Sequence, residues 1–271
     1  MLSEAFFMLS FIFFQLKFSK MITKLKTIFQ CQTETMTAEA VCTKKTIIQK
    51  TVRLLSLSFL TSNILFFWLA NTTIYYLNSY YFFISLNLII IVFGILLFWL
   101  HRFSPSCQKY YALLFAVQDG LCFGLIAFYF YLHYQNFFTG IVLALLGTSL
   151  LTRTVYTLYR KNILRVEQKF QFLTMLLVIS WFISLIIYII LKYVQVNSYV
   201  FFLLTFLFLP FFSMILFLAN DINNAECLVT QRFPQKYEWL MAFSFRMTLM
   251  SLFVYLILIL QLFGFFKTYQ I

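Results

Sequence analysis

The sequence predicts an all-α integral membrane protein that crosses the bilayer seven times. Of its 271 residues, 63% are hydrophobic and only 10% are charged, whereas soluble domains are about half apolar and a quarter charged. Several apolar stretches reach the roughly 20 residues that a helix needs to cross the hydrocarbon core. Lys and Arg are concentrated between alternate stretches, which is typical of a polytopic membrane protein.

Seven stretches are long and apolar enough to span a membrane. They cover residues 54–76, 81–100, 110–132, 137–158, 170–191, 197–219 and 239–265. The connections are short, except for a polar stretch at 220–238 that we predict to link the sixth and seventh spans outside the membrane. We therefore divide the chain into an N-terminal part, 1–52, and a seven-helix transmembrane domain, 53–271.

The N-terminal part begins with an apolar segment, followed by a basic one. Residues 5–16 (AFFMLSFIFFQL) would form a helix of about 18 Å, too short to cross the hydrocarbon core. Residues 17–30 place lysines opposite apolar side chains, which favours a helix lying on an anionic membrane surface; a solvated basic linker is the alternative. We expect the aromatic face of the first segment to contact a partner protein. It consists of Phe6, Phe7, Phe11, Phe13 and Phe14.

The basic residues indicate how the chain is oriented. Sixteen Lys and Arg lie in the segment up to Arg53 and in alternate connections, whereas the opposite side has only Lys192 and Lys267. The positive-inside rule then places the N-terminus in the cytosol or the mitochondrial matrix. This distribution explains the net charge of +12 without a nucleic-acid partner. We predict a mitochondrial inner-membrane location, with the endoplasmic reticulum or another endomembrane as the alternative.

Four ionisable residues in or beside the spans are candidates for function, because charges within a membrane are costly. Asp119 lies deep in the third span, and Asp221 follows the sixth. Arg153 lies near the basic end of the fourth span and could extend its side chain to the interface. Arg246, in the seventh span, could do the same or pair with Asp221 or Asp119. A structural ion pair and an ion or proton path both remain open.

No motif indicates an enzyme. The chain lacks the HExxH, GxSxG and phosphate-loop patterns, and its five cysteines do not have metal-ligand spacing. We therefore expect a non-enzymatic protein without a metal or cofactor, apart from bound phospholipids. Its expected partners are lipids, anionic ones in particular, and other membrane-protein subunits.

Three segments together resemble the Bax inhibitor/lifeguard family of seven-span membrane proteins, some of which act as calcium or proton leaks. They are YYALLFAVQDGLCFG, TVYTLYRKN, and ILFLANDINN followed by FPQKYEWLMAFSFRMTLMSLFVYLI. The resemblance covers roughly residues 45–265. It implies a Bax-inhibitor-like bundle in which Asp119 takes the acidic position of the third span, Gly124 a family glycine, and Asp221 the Asp of an Asp-Thr-Gln signature.

The departures from the family pattern change the expected function. The resemblance implies a carboxylate on each of the last two helices, but the second position here is Met247 or Thr248, with Arg246 beside it. We therefore expect that the leak is lost and that the chain is an accessory, structural subunit of a larger membrane complex, with the respiratory chain as a candidate. A leak through Asp119 and Asp221 is the alternative, and a cell-death regulator acting through partners is a third reading.

Overall fold

The computed structural model describes residues 41–76, 108–134, 136–164, isolated positions between 176 and 187, 207–233, 235 and 237–263. Its long helices are α1 (Lys44–Tyr76), α2 (Gln108–His133), α3 (Phe137–Arg160), α4 (Leu209–Thr230) and α5 (Tyr237–Leu262). The described part is helical, as the composition predicted.

Four of these helices are long and apolar enough to cross a membrane: α1, α2, α3 and α5. They correspond to the first, third, fourth and seventh predicted spans, and α4 contains the end of the sixth. The second span, most of the fifth and residues 1–40, with the predicted Phe face, lie outside the described residues. The total of seven spans and the orientation of the N-terminus therefore stay predictions.

Two helices extend further than the hydropathy pattern predicted. The polar stretch at 220–238 is not simply a connection, because α4 continues to Thr230. It can do so because Asp221, Ile222 and Ala225 turn inward and are buried. Helix α1 begins at Lys44 rather than near residue 54, since the Thr43 hydroxyl accepts a hydrogen bond from the Thr46 N–H over 3.2 Å and caps the helix.

Helix α5 is the centre of the described bundle and packs against all four other long helices. Its buried residues lie all around the helix, as expected for a segment that is apolar on every side. The outer faces of α1 and α3 instead expose apolar side chains, including Ile48, Ile64 and Leu150. Such faces suit contact with lipid tails. Helix α5, in contrast, is the element that places side chains inside the bundle.

Two glycines bring α1 and α2 into close contact. Gly120 and Gly124 form a GxxxG pattern on one face of α2. A Cβ atom at Gly120 would lie 1.7 Å from the Thr61 Oγ1 and 2.4 Å from the Ser58 carbonyl oxygen. A Cβ atom at Gly124 would lie 2.8 Å from the Ser62 carbonyl oxygen. The absence of side chains at these positions therefore sets the α1–α2 distance.

One end of the bundle gathers the starts of α1, α2 and α5 and the ends of α3 and α4. We call it the basic end. Contacts across this end include the Cys42 N–H, which donates to the Phe233 carbonyl over 2.9 Å, and the side-chain pairs described below. Seven exposed cations lie there among the described residues: Lys44, Lys45, Arg53, Lys109, Arg160, Lys161 and Arg232.

Candidate functional site

Arg246 lies at the centre of the bundle and joins three helices. Its side chain, on α5, is 0% exposed, and its Nη2 lies 2.8 Å from Oδ2 of Asp119 on α2. Its Nε donates a hydrogen bond to the Oγ of Ser58 on α1 over 2.9 Å. The Ser58 hydroxyl lies 2.9 Å from the Ala116 carbonyl of α2, to which it donates. The guanidinium thus ties α1 and α2 to α5.

The structure shows which carboxylate forms the ion pair with Arg246, a choice that the sequence left open. The ion pair is made with Asp119 and not with Asp221. The guanidinium remains buried instead of extending toward the basic end. Because the Asp119 side chain is 25% exposed, the pair has one fully enclosed cation and one partly accessible carboxylate.

Asp221 lies within α4, not at its end, and is only 3% exposed. The hydroxyl of Ser244 donates to Oδ1 over 2.6 Å, and that of Thr248 donates to Oδ2 over 2.7 Å. Both donors are on α5, one turn apart. Thr248, rather than Met247, therefore faces Asp221, and hydroxyl groups bind both carboxylate oxygens.

Arg153 is separate from these groups. It lies on an exposed part of α3, beside the exposed apolar residues Leu150 and Tyr156. The structure gives it no ion pair within the described residues. Arg153 therefore belongs to the outer face of α3, where its side chain is free to reach toward the basic end.

Glu226 and Tyr159 join three helices at the basic end. Oε1 of Glu226, on α4, lies 2.6 Å from the Nζ of Lys44 on α1. The Tyr159 hydroxyl, on α3, donates to Oε2 over 2.9 Å. The hydrogen bond from Lys44, with help from Tyr159, outweighs the effect of burial and lowers the pKa of Glu226 below its ordinary value. The carboxylate is therefore ionised at neutral pH.

Glu238, in the first turn of α5, is fully buried and holds the start of α1. Its Oε2 lies 2.5 Å from the Nζ of Lys50. Its Oε1 accepts hydrogen bonds from the Thr43 N–H over 3.0 Å and from the Thr46 hydroxyl. In a capping box, the acid three residues after the cap takes this role. Here a distant helix supplies it, so no local pattern could have revealed it.

Burial protects the thiol just before α1. Cys42 is 2% exposed, and burial, with the nearby Glu238 carboxylate, raises its pKa to about 11. Cys227, on α4, is exposed.

The two thiols should therefore differ in reactivity, because the thiolate is the nucleophile. In single-cysteine variants, Cys42 should react with a maleimide at least about tenfold more slowly than Cys227. Equal rates in the folded protein would contradict this packing, and unfolding in detergent should make them equal.

Within the described residues, no cluster of three or more His, Cys, Asp or Glu side chains could hold a metal ion.

A comparison with protein families identifies the family of the chain. A family model described as Bax inhibitor 1 like matches residues 19–265. No curated protein and no solved structure matches the chain. The family match covers most of the sequence, so the chain belongs to the Bax inhibitor family.

Proposed function

We propose that this protein is a non-enzymatic, structural subunit of a larger membrane complex and that it conducts no ions. One observation carries the proposal: the four carboxylates among the described residues all tie helices together. Asp119 joins α2 to α5, and Asp221 joins α4 to α5. Glu226 and Glu238 join α1 to α3, α4 and α5.

The charge at the centre of the bundle opposes a cation path. A calcium ion moving beside α5 would meet the Arg246 guanidinium, which is enclosed and cannot lose its proton in a protein. Asp119 neutralises this charge and is therefore not free to attract a second cation. The arrangement stabilises a closed bundle rather than a cation site.

The groups around Asp221 support the same conclusion. Two carboxylates that face each other can share a proton, which is how a pair of this kind can respond to pH. Thr248 occupies the position facing Asp221 and donates its hydroxyl hydrogen to the carboxylate. A hydroxyl does not titrate near neutral pH, so among the described residues Asp221 has no second ionisable group with which to share a proton.

We also propose that the complex to which this subunit belongs lies in the mitochondrial inner membrane. The excess of basic residues on one side supports insertion with the N-terminus in the matrix, and residues 1–30 are proposed to contact the neighbouring subunits. Endogenously tagged protein should co-migrate with a large complex on a native gel after gentle detergent extraction. It should also fractionate with inner-membrane markers rather than with endoplasmic reticulum.

Deleting residues 1–30 tests the proposed partner contact. The deleted protein should remain inserted in the same orientation, because 12 of the 16 basic residues on that side remain. It should no longer migrate with the complex. If the full-length protein migrates as a monomer, the subunit proposal is overturned. If the deleted form still co-migrates, only the role of residues 1–30 is overturned.

A further inference from the structure

At the basic end, two lysine ammonium groups lie near one tryptophan ring. The Nζ of Lys50, on α1, is 5.1 Å from the ring centroid of Trp239. The Nζ of Lys109, at the start of α2, is 5.9 Å from the same centroid. These distances allow cation–π attraction. Three helices therefore bring two cations and an aromatic ring together at this end.

The two lysines differ in how their charges are balanced. Lys50 pairs with the buried Glu238 carboxylate at 2.5 Å. Lys109 is exposed, and the described part of the chain gives it no ion pair. The other described carboxylates are engaged elsewhere in the bundle. Lys50, Lys109 and Glu238 together therefore carry one positive charge that the described residues do not neutralise.

Apolar surface lies directly beside these cations. Trp239, Leu57 and Leu113 are all partly buried and pack against the same core cluster between α1, α2 and α5. Their remaining exposed surface lies on helices that are long enough to cross a membrane. The site thus combines cations with adjacent apolar surface at one end of these helices, and tryptophan is favoured where a helix end meets the membrane interface.

From this arrangement we propose that Lys109, Lys50 and Trp239 form a binding site for the phosphate of an anionic phospholipid. The Lys109 ammonium binds the phosphate oxygens, and an acyl chain lies against Leu57 and Leu113. A zwitterionic headgroup fits less well, because its own cation would lie near two ammonium groups. Free phosphate has no apolar part to occupy the remaining surface. This site does not depend on the proposed function.

The test uses the full-length protein in nanodiscs that contain equal amounts of phosphatidylglycerol and phosphatidylcholine. Native mass spectrometry of the released protein measures how much of each lipid stays bound. One lysine near a membrane surface contributes about 1 kcal/mol to binding an anionic lipid, so Lys109→Gln should reduce retained phosphatidylglycerol about fivefold. Lys109→Arg should retain it. The matched control is Lys161→Gln, since Lys161 is exposed at the same end but follows α3.

Three results would overturn the proposal. The first is an equal loss in Lys109→Gln and Lys161→Gln, which would indicate a general surface charge effect. The second is equal retention of the two lipids by the wild-type protein. The third is complete displacement of the bound lipid by inorganic phosphate, which would make free phosphate the ligand.

Discussion

Replacing Gly120 with valine should lower the free energy of unfolding by about 3 kcal/mol or more, because the added atoms cannot fit between α1 and α2. A Cβ atom alone would lie 2.4 Å from the Ser58 carbonyl oxygen. That oxygen belongs to the backbone, so the helices themselves must separate. Separation would also disturb the hydrogen bond between Ser58 and Arg246. Unfolding of the detergent-solubilised protein, followed by circular dichroism, measures the change.

Gly147→Ala is the matched control, since Gly147 is also a glycine within a long helix. A Cβ atom there would lie 3.1 Å from the Leu256 Cδ1, the flexible end of a side chain that can move. Alanine is also favoured over glycine within helices by about 0.5–1 kcal/mol. We expect this variant to match or slightly exceed the wild type. If Gly120→Val is equally stable, the close α1–α2 contact does not exist.

The Arg246–Asp119 ion pair should give the second large effect. Asp119→Asn leaves the enclosed guanidinium without its counter-charge, and arginine cannot become neutral. Breaking a buried pair in this way costs about 3–5 kcal/mol. Arg246→Gln should cost less, because the Asp119 side chain is partly exposed, whereas the guanidinium is fully enclosed. The double variant should be more stable than Asp119→Asn alone.

Asp221 provides the control for this double-mutant cycle. Its carboxylate binds Ser244 and Thr248, and the ion pair of Arg246 is made with Asp119 instead. The effects of Asp221→Asn and Arg246→Gln should therefore add to within about 0.5 kcal/mol. Strong coupling of Arg246 to Asp221, together with no coupling to Asp119, would contradict the observed pairing. Unfolding of the three single and two double variants measures both couplings.

Hydropathy predicted the helices well but not their polar extensions. The stretches at 110–132 and 137–158 differ from α2 and α3 by only a few residues at each end. Helix α4 instead continues through residues 220–230, because Asp221 and Glu226 find partners on other helices. Hydropathy averaged over a window of sequence counts Asn and Asp as breaks in an apolar run. It cannot register that Asp221 is satisfied by Ser244 and Thr248.

The two charges of the central ion pair were predictable from the sequence, but their pairing was not. Asp119 and Arg246 stand out as charges within apolar runs, and the cost of burying them indicates that they need partners. The choice between Asp119 and Asp221 depends on which faces of α2, α4 and α5 meet, which spacing along one chain does not specify. Glu238 was missed for a different reason: it lies at the start of a span, where an acidic residue needs no special explanation.

Ion flux through the purified protein tests most directly whether the bundle is closed. Wild-type protein reconstituted in liposomes should pass calcium and protons no faster than empty liposomes, from acidic to mildly alkaline pH. Asp119→Asn and Asp221→Asn serve as controls for any flux that is found. A pH-dependent flux in the wild-type protein would contradict the structural role, and its loss in a variant that circular dichroism shows to be folded would establish a conducting path through that carboxylate.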